Sequence, residues 1–239
     1  MRLLLTRAPE DAERTRAKLQ AAGHHVTAAP VITIVPARPT WPGGVVDAVL
    51  ATSGHAFPTL ASAPQPSAEA RRLMPLMLVG RRTEEMARRH GFHGAALVAP
   101  DAARLAAEIG ALTAKPRRLL YLAGHDRKPD LERELAAIDR PPTLVECYTA
   151  RPVEALAAPA EAAIAAGAIE GILHFSRRSA ELFIALTKKA GLDLGPARHF
   201  CLSDDVAAPL RDAGYTLVDT AEVPNETALL AMLPNRSQP

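Results

Sequence analysis

Aromatic residues are scarce in this chain: Phe, Trp and Tyr make up 4% of it, against 48% hydrophobic residues in all. Its cores must therefore be packed mainly from Ala, Leu, Val and Ile, and each tyrosine is a conspicuous place for a phenol. Cysteine is nearly absent. Cys147 and Cys201, the only two, fall in separate strand-like runs with no CxxC partner, which argues against a disulfide scaffold or a zinc cluster and fits a reducing cytoplasm. Cys147, within a strand, reads as a packing residue. No apolar run approaches the roughly 18 residues of a membrane span, and residues 1–7 are too short for a signal segment. A protein neither secreted nor anchored is expected. Charge of one sign is also lacking: 28 Lys and Arg against 26 Asp and Glu leave +2. Bulk charge thus gives no support to nucleic-acid or membrane-surface binding. No GxGxxG, Walker, HExxH or GxSxG pattern is present, and the eight histidines have no paired ligand spacing, so no metal is expected.

What the chain does have is alternation. Short β-branched or leucine-rich runs at 3–5, 31–35, 48–51, 76–80, 96–98, 119–122, 171–175, 199–202 and 217–218 read as strands. Helical segments follow at 9–22, 83–90, 101–112, 129–137, 154–166, 179–190, 206–213 and 225–233, several stopped by glycines such as Gly23, Gly91 and Gly214. Pro58 to Pro66, rich in Pro and Ser, weakens the helix expected after the strand 48–51. Strands alternating with helices imply parallel sheets covered on both faces, an α/β fold. The length of 239 residues suits one large domain or two of about 100–120 residues.

An internal repeat sharpens this. Ser53 and Ser176, Gly80 and Ser203, and Gly91 and Gly214 are each 123 residues apart, and Pro100 and Pro224 are 124 apart. Each copy is split by a proline-flanked extended segment, 30–42 in the first and 145–159 in the second. Two long crossovers and a short junction near Lys115-Pro116 suggest that the middle folds as one domain and the two ends together as the other. Two consecutive domains dividing near residue 116 remain the alternative. Residues 144–152, ending in Arg151-Pro152, read as a strand that crosses between domains. Tyr148 near its far end would look into a cleft as a protonated donor, since a phenol titrates near pH 10.

Ligands of open α/β sheets sit at the carboxyl ends of strands, where helix N-termini offer free N–H groups. Here those places carry Thr6-Arg7, Thr52-Ser53-Gly54-His55, Gly80-Arg81-Arg82-Thr83, Gly124-His125-Asp126-Arg127-Lys128 and Ser176-Arg177-Arg178-Ser179. Any one Ser or Thr is more often a helix cap, and any one Arg a solvated charge. Five clusters of hydroxyls and cations on strand ends of a near-neutral protein point to an anionic ligand.

In order along the chain, Leu5-Thr6-Arg7, Pro30-Val31-Ile32, Thr52-Ser53, Val79-Gly80-Arg81-Arg82-Thr83, the Leu122-to-Leu131 loop, Glu146-Cys147-Tyr148, Phe175-Ser176 and Ala221-Glu222-Val223-Pro224 resemble the uroporphyrinogen-III synthase family. The resemblance implies two flavodoxin-like α/β domains joined by a two-stranded connector: a discontinuous terminal domain (1–35 and 155–239), a middle domain (42–146) and linkers 36–41 and 147–154. It implies a cytoplasmic monomer without cofactor or metal, whose substrate is hydroxymethylbilane and whose protein contact is a transient one with the upstream deaminase. The reaction would cyclise this eight-carboxylate bilane to uroporphyrinogen III, losing water and inverting ring D, with the domains closing on substrate. By the same analogy Tyr148 is the acid at the leaving hydroxyl. Thr52, Ser53, Thr83, Ser176 and Ser179 would bind carboxylates, with Arg7, Arg178 and Lys128 as weaker charge candidates. Ser203-Asp204-Asp205-Val206 departs from the family's Gly-Thr-Thr pattern, and Asp205 is a poor neighbour for a carboxylate. A non-catalytic two-lobed binding or regulatory protein for an acidic small molecule is the alternative.

Overall fold

The structure is a computed structural model that describes residues 1–61, 66–114 and 116–234. The centre of the Pro- and Ser-rich stretch (62–65), Lys115 of the expected junction and residues 235–239 lie outside the described residues. Eleven strands follow in order: β1 (Arg2–Leu5), β2 (His25–Ala28), β3 (Ile32–Pro36), β4 (Ala48–Ala51), β5 (Leu76–Val79), β6 (Ala96–Ala99), β7 (Leu119–Gly124), β8 (Thr143–Pro152), β9 (Gly171–His174), β10 (Arg198–Cys201) and β11 (Val218–Thr220). The chain forms two compact units: a terminal unit of Met1–Thr33 with Arg151–Pro239, and a middle unit of Ile34–Ala150.

In the terminal unit the sheet order is β11-β10-β9-β1-β2, all parallel. This is the flavodoxin-like order. The other sheet runs β3-β8-β7-β4-β5-β6, with parallel pairing from β8 to β6. Matched through the sequence repeat, β7, β8, β4, β5 and β6 correspond to β1, β2, β9, β10 and β11, and the two orders become the same. Each sheet therefore combines the opening strands of one copy with the closing strands of the other. The chain passes between units within β3 and β8. Ala37 N–H donates to Cys147 O and Val153 N–H to Val31 O, so these two strands run antiparallel.

The central strands are buried on both faces, as parallel strands under helices must be; β4 and β9 have no exposed residue. In the middle unit Val49, Ala51, Leu76, Leu78, Leu120, Leu122, Val145 and Cys147 pack on one face with Phe57 and Phe92. Ala48, Leu50, Met77, Tyr121 and Ala123 pack on the other with Leu105, Ile109 and Leu135. At about 25 cal/mol per Å² of apolar surface removed from water, these faces supply the main drive to fold.

Local chemistry sets the helix ends. Ser67, Asp101, Ser176 and Asn225 each accept a backbone N–H from their helix's first turn. The helix expected over 154–166 forms only as Ala158–Ala165: β8 extends through Pro152, and Pro159, which lacks an N–H, sits in the first turn. After β4 the single weakened helix is instead a 3-10 turn (Gly54–Ala56) and the short helices Pro58–Ala61 and Ala68–Leu73.

The terminal unit also buries a histidine pair. His174 Nε2 lies 3.0 Å from His199 Nδ1, with the rings stacked. Among the described residues His174 Nδ1 and His199 Nε2 find no hydrogen-bond partner. Burial holds His174 well below the usual imidazole range, assisted by the charge His199 would carry, and brings His199 down to about 4. The two rings therefore share one hydrogen bond as neutral imidazoles.

Candidate functional site

In the middle unit, parallel pairing puts the carboxyl ends of β4, β5, β7 and β8 on one edge, which carries Thr52, Ser53, Thr83, Lys128 and Tyr148. Thr52 Oγ1 is 3.0 Å from the hydroxyl of the buried Tyr121. Burial raises the Tyr121 pKa against the lowering effect of that hydrogen bond, so Tyr121 is a protonated structural partner. Ser53 caps the turn Gly54–Ala56 by accepting His55 N–H. Thr83 is buried in the first turn of helix Arg81–Arg89, which starts at Gly80 with φ +78. Lys128 is exposed beyond β7.

Tyr148 owes its direction to a bulge. Pairing of β7 with β8 runs Leu122 to Val145 and Ala123 to Glu146, then jumps from Gly124 to Tyr148. Strict alternation would send Tyr148 to the face opposite Cys147. The register shift lets both pack against the same core, since a bulge re-aims the side chains that follow it. The ring then lies over Gly124, where a Cβ would come within 2.8–3.0 Å of Cζ, Cε2 and the phenol oxygen. His55 meets the ring edge-on, centroids 5.7 Å apart. His125 N–H donates to Tyr148 O, while its imidazole and Arg127 both bind Glu146, at 2.9 and 3.0 Å. Hydrogen bonding to His125 leads the effects that hold Glu146 below its ordinary range. Thus Tyr148 stands half-buried at the edge, held from below by Gly124 and from the side by His55.

In the terminal unit the corresponding edge carries Thr6-Arg7, Ser176–Ser179 and Ser203–Asp205. Ser176 Oγ accepts Ser179 N–H at 3.1 Å and donates to Ser179 Oγ at 2.8 Å. Both therefore build the N-terminus of helix Arg177–Lys189, where further N–H groups point outward. Arg178 is half-buried in that first turn. Arg7 is engaged inside the unit: its guanidinium lies 4.2 Å over Phe175 and pairs with Glu226 at 3.3 Å and Asp11 at 3.7 Å. Burial pushes the Glu226 pKa up, but hydrogen bonds from Lys18 and Thr15 and the Arg7 charge prevail and hold it below the ordinary value. Asp205 pairs with Arg177 and Asp204 with Arg211, which balances the acids that interrupt the expected pattern.

The structure thus gathers the predicted hydroxyls on two strand-end edges, one in each unit. Gly124 and His55 stand in the strand-end clusters named from the sequence, but no role of their own could be read for them there. A glycine closing a strand reads as turn punctuation; only a tertiary contact shows that a ring needs its missing side chain. Among the described residues no group of three or more His, Cys, Asp or Glu is placed to hold a metal ion, and no helix is long and apolar enough to cross a membrane.

Two parallel α/β units, each with amide and hydroxyl donors at the carboxyl edge of its sheet, define a class of two-unit α/β protein suited to an anionic small molecule. The chain belongs to the uroporphyrinogen-III synthase family: the model for uroporphyrinogen-III synthase HemD matches residues 13–231. Solved structures share the fold. Uroporphyrinogen-III synthetase from Helicobacter pylori superposes with a TM-score of 0.66 at 16% identity, covering 97% of this chain and 98% of that one. A mutant uroporphyrinogen III synthase from Thermus thermophilus gives 0.55 at 16% identity, with 97% of each chain covered. No curated protein matches the sequence. Family membership makes the chain a cyclising lyase of porphyrin and haem biosynthesis that acts on a small tetrapyrrole, hydroxymethylbilane, and forms uroporphyrinogen III.

Proposed function

We propose that cyclisation takes place against the Tyr148 edge of the middle unit, with Tyr148 as the acid. The observation that carries this is the seat of Tyr148: a bulge, a bare glycine and a histidine edge together fix one phenol on the strand-end edge that also carries Thr52 and Ser53. The phenol donates its proton to the terminal hydroxyl as the C–O bond breaks. Water leaves, and the pyrrole nitrogen's electrons form an azafulvene. The substituted carbon of ring D attacks it to give a spiro intermediate, which fragments and recloses with ring D inverted. The proton released at closure returns to the phenolate. General acid assistance of this kind contributes about 10²–10⁴-fold.

Carboxylates of the bilane are held by Thr52, Ser53 and Thr83 in the middle unit and by Ser176 and Ser179 with the adjoining N–H groups in the terminal unit. Arg178 and Lys128 add charge. Arg7, paired with Glu226 and Asp11, serves this edge by holding Phe175 and the helix Glu226–Ala231 rather than by meeting substrate. The enzyme works as a cytoplasmic monomer that meets the upstream deaminase transiently. In support, Cys147 and Cys201 are free and buried, their thiols pushed up by burial to about 11 and about 12, as inert thiols of a reducing compartment are.

Hydroxymethylbilane cyclises unaided to the symmetric isomer I, so chromatography of the oxidised porphyrins reads the enzyme's contribution as isomer III. Tyr148→Phe is expected to lower isomer III formation by about 10²–10⁴-fold with a native circular dichroism spectrum. Unchanged turnover would remove the acid role.

A further inference from the structure

On the amino-terminal edge of the same middle sheet lies a second basic feature. A cavity of about 600 Å³ is lined by Ala68, Arg71, Arg72, Arg89, His90, Gly91 and His93. It continues into a neighbouring hollow that shares Ala68, Arg72 and His93 and adds Glu69 and Leu73. Its walls are the short helix Ala68–Leu73 and the C-terminal end of helix Arg81–Arg89 with the turn that follows it. These lead into the loops before β5 and β6, at the end of the sheet away from Tyr148.

A single arginine in the last turn of a helix answers the helix dipole. That does not account for Arg72 and Arg89, from two separate helices, lining one hollow with His90, His93 and Arg71, whose guanidinium also donates to the Leu60 carbonyl at 3.3 Å. Among the described residues no carboxylate lines the first cavity, and Glu69 is the single acid of the second. The walls are also fixed. A side chain at Gly94 would run into the Met74 carbonyl, Leu76 N–H donates to Ala95 O, and Arg88 donates to the carbonyls of Phe92 and Gly94. The fold therefore holds the cations together and does not let the loops relax apart. Burial, with the charge of Arg89 second, keeps His90 below its usual range, leaving a neutral ring beside arginines that stay charged at any physiological pH.

We propose that this cavity is a binding site for a compact polyanion, a phosphoryl or polycarboxylate group held by Arg71, Arg72 and Arg89 with His90 and His93 as flanking donors. Its volume suits a small molecule, and a planar guanidinium matches either oxyanion bidentately. The site lies at the opposite end of the sheet from the substrate donors, so it is a second site and not an extension of the first.

The test titrates the full chain with pyrophosphate and with citrate at constant ionic strength, following the imidazole resonances of His90 and His93 by NMR. Saturable shifts at both histidines are expected, and the tighter of the two anions tells a phosphoryl ligand from a polycarboxylate one. Each lost charge-assisted contact weakens binding about tenfold, so Arg72→Gln with Arg89→Gln is expected to weaken it about a hundredfold while isomer III formation is kept. Both arginines are on the surface, and each single variant, with about a tenfold loss, gives a second reading if the double variant folds poorly. Absence of saturable shifts with either anion, or binding that the Arg72 and Arg89 substitutions leave unaltered, would overturn the site.

Discussion

Matched through the repeat, β8 of the middle unit corresponds to β2 of the terminal unit, yet the two end differently. β8 carries Tyr148 over Gly124, whereas β2 runs from Ala28 into Ala29 and Pro30 with no phenol. The neighbouring strand ends diverge in the same sense. After β7 the chain leaves room for a ring; after β1 it places Arg7 over Phe175 and ties it to Glu226. Two copies of one scaffold thus supply two sets of strand-end donors, and one copy adds a group able to give a proton. The terminal unit ties Arg7 of its corresponding edge into internal pairing, and carries in its core the His174–His199 pair, which has no counterpart among the described residues of the middle unit. On the proposed reading, binding is duplicated in such an arrangement, while chemistry belongs to one side.

The comparison breaks most readily at Gly124. Gly124→Val would place branched carbon where the Tyr148 ring now lies, within 2.8–3.0 Å of its atoms at Cβ alone. Isomer III formation is expected to fall by at least the roughly 10²–10⁴-fold of a lost general acid, with Tyr148 still in the chain; near-normal turnover would show that the seat does not matter.

A second measurement separates the units by pH. His174 and His199 are neutral when folded and protonate near 6.5 when unfolded. Their contribution to stability is therefore complete above about pH 6.5 and declines as pH falls from there toward about 4, because the unfolded chain binds the extra protons. For His199 the whole window is worth on the order of 3 kcal/mol. Denaturant unfolding of wild type at pH 7 and pH 5 should show the part of that loss that lies above pH 5. The double variant His174→Leu with His199→Leu should flatten it, and an equal loss in both proteins would place the sensitivity elsewhere.

Smallest in effect, and most specific to the terminal edge, is the pair Ser176→Ala and Ser176→Asp. Alanine removes the cap to Ser179 N–H and is expected to cost about 1 kcal/mol of stability. Aspartate keeps the cap but sets a negative charge before a carboxylate. It should leave the melting temperature within a degree or two of wild type while raising KM severalfold. A KM unaffected by aspartate would confine Ser176 to capping.

Much of this was legible in the chain itself. Leucine-rich and β-branched runs spaced by helices announce parallel sheets, and landmarks recurring at 123 residues announce two copies, because burial on both faces and the β-to-α rhythm are local properties written residue by residue. Asn225 was legible as a helix start for the same reason, whereas the helix expected from Ser179 begins two residues earlier, at Arg177, under the cap of Ser176. Arg7 was not legible as an internal group, since its partner Glu226 is 219 residues away. Nor was the basic cavity, whose arginines belong to separate helices.

From the sequence alone came the α/β class, the repeated halves and the strand ends where donors collect, all consequences of near-neighbour periodicity. The tertiary structure decided which way Tyr148 points and which cations are consumed inside a unit. Those depend on register between strands and on charges brought together by folding, and a one-residue shift at the Gly124 bulge is enough to send a side chain to the other face of the sheet.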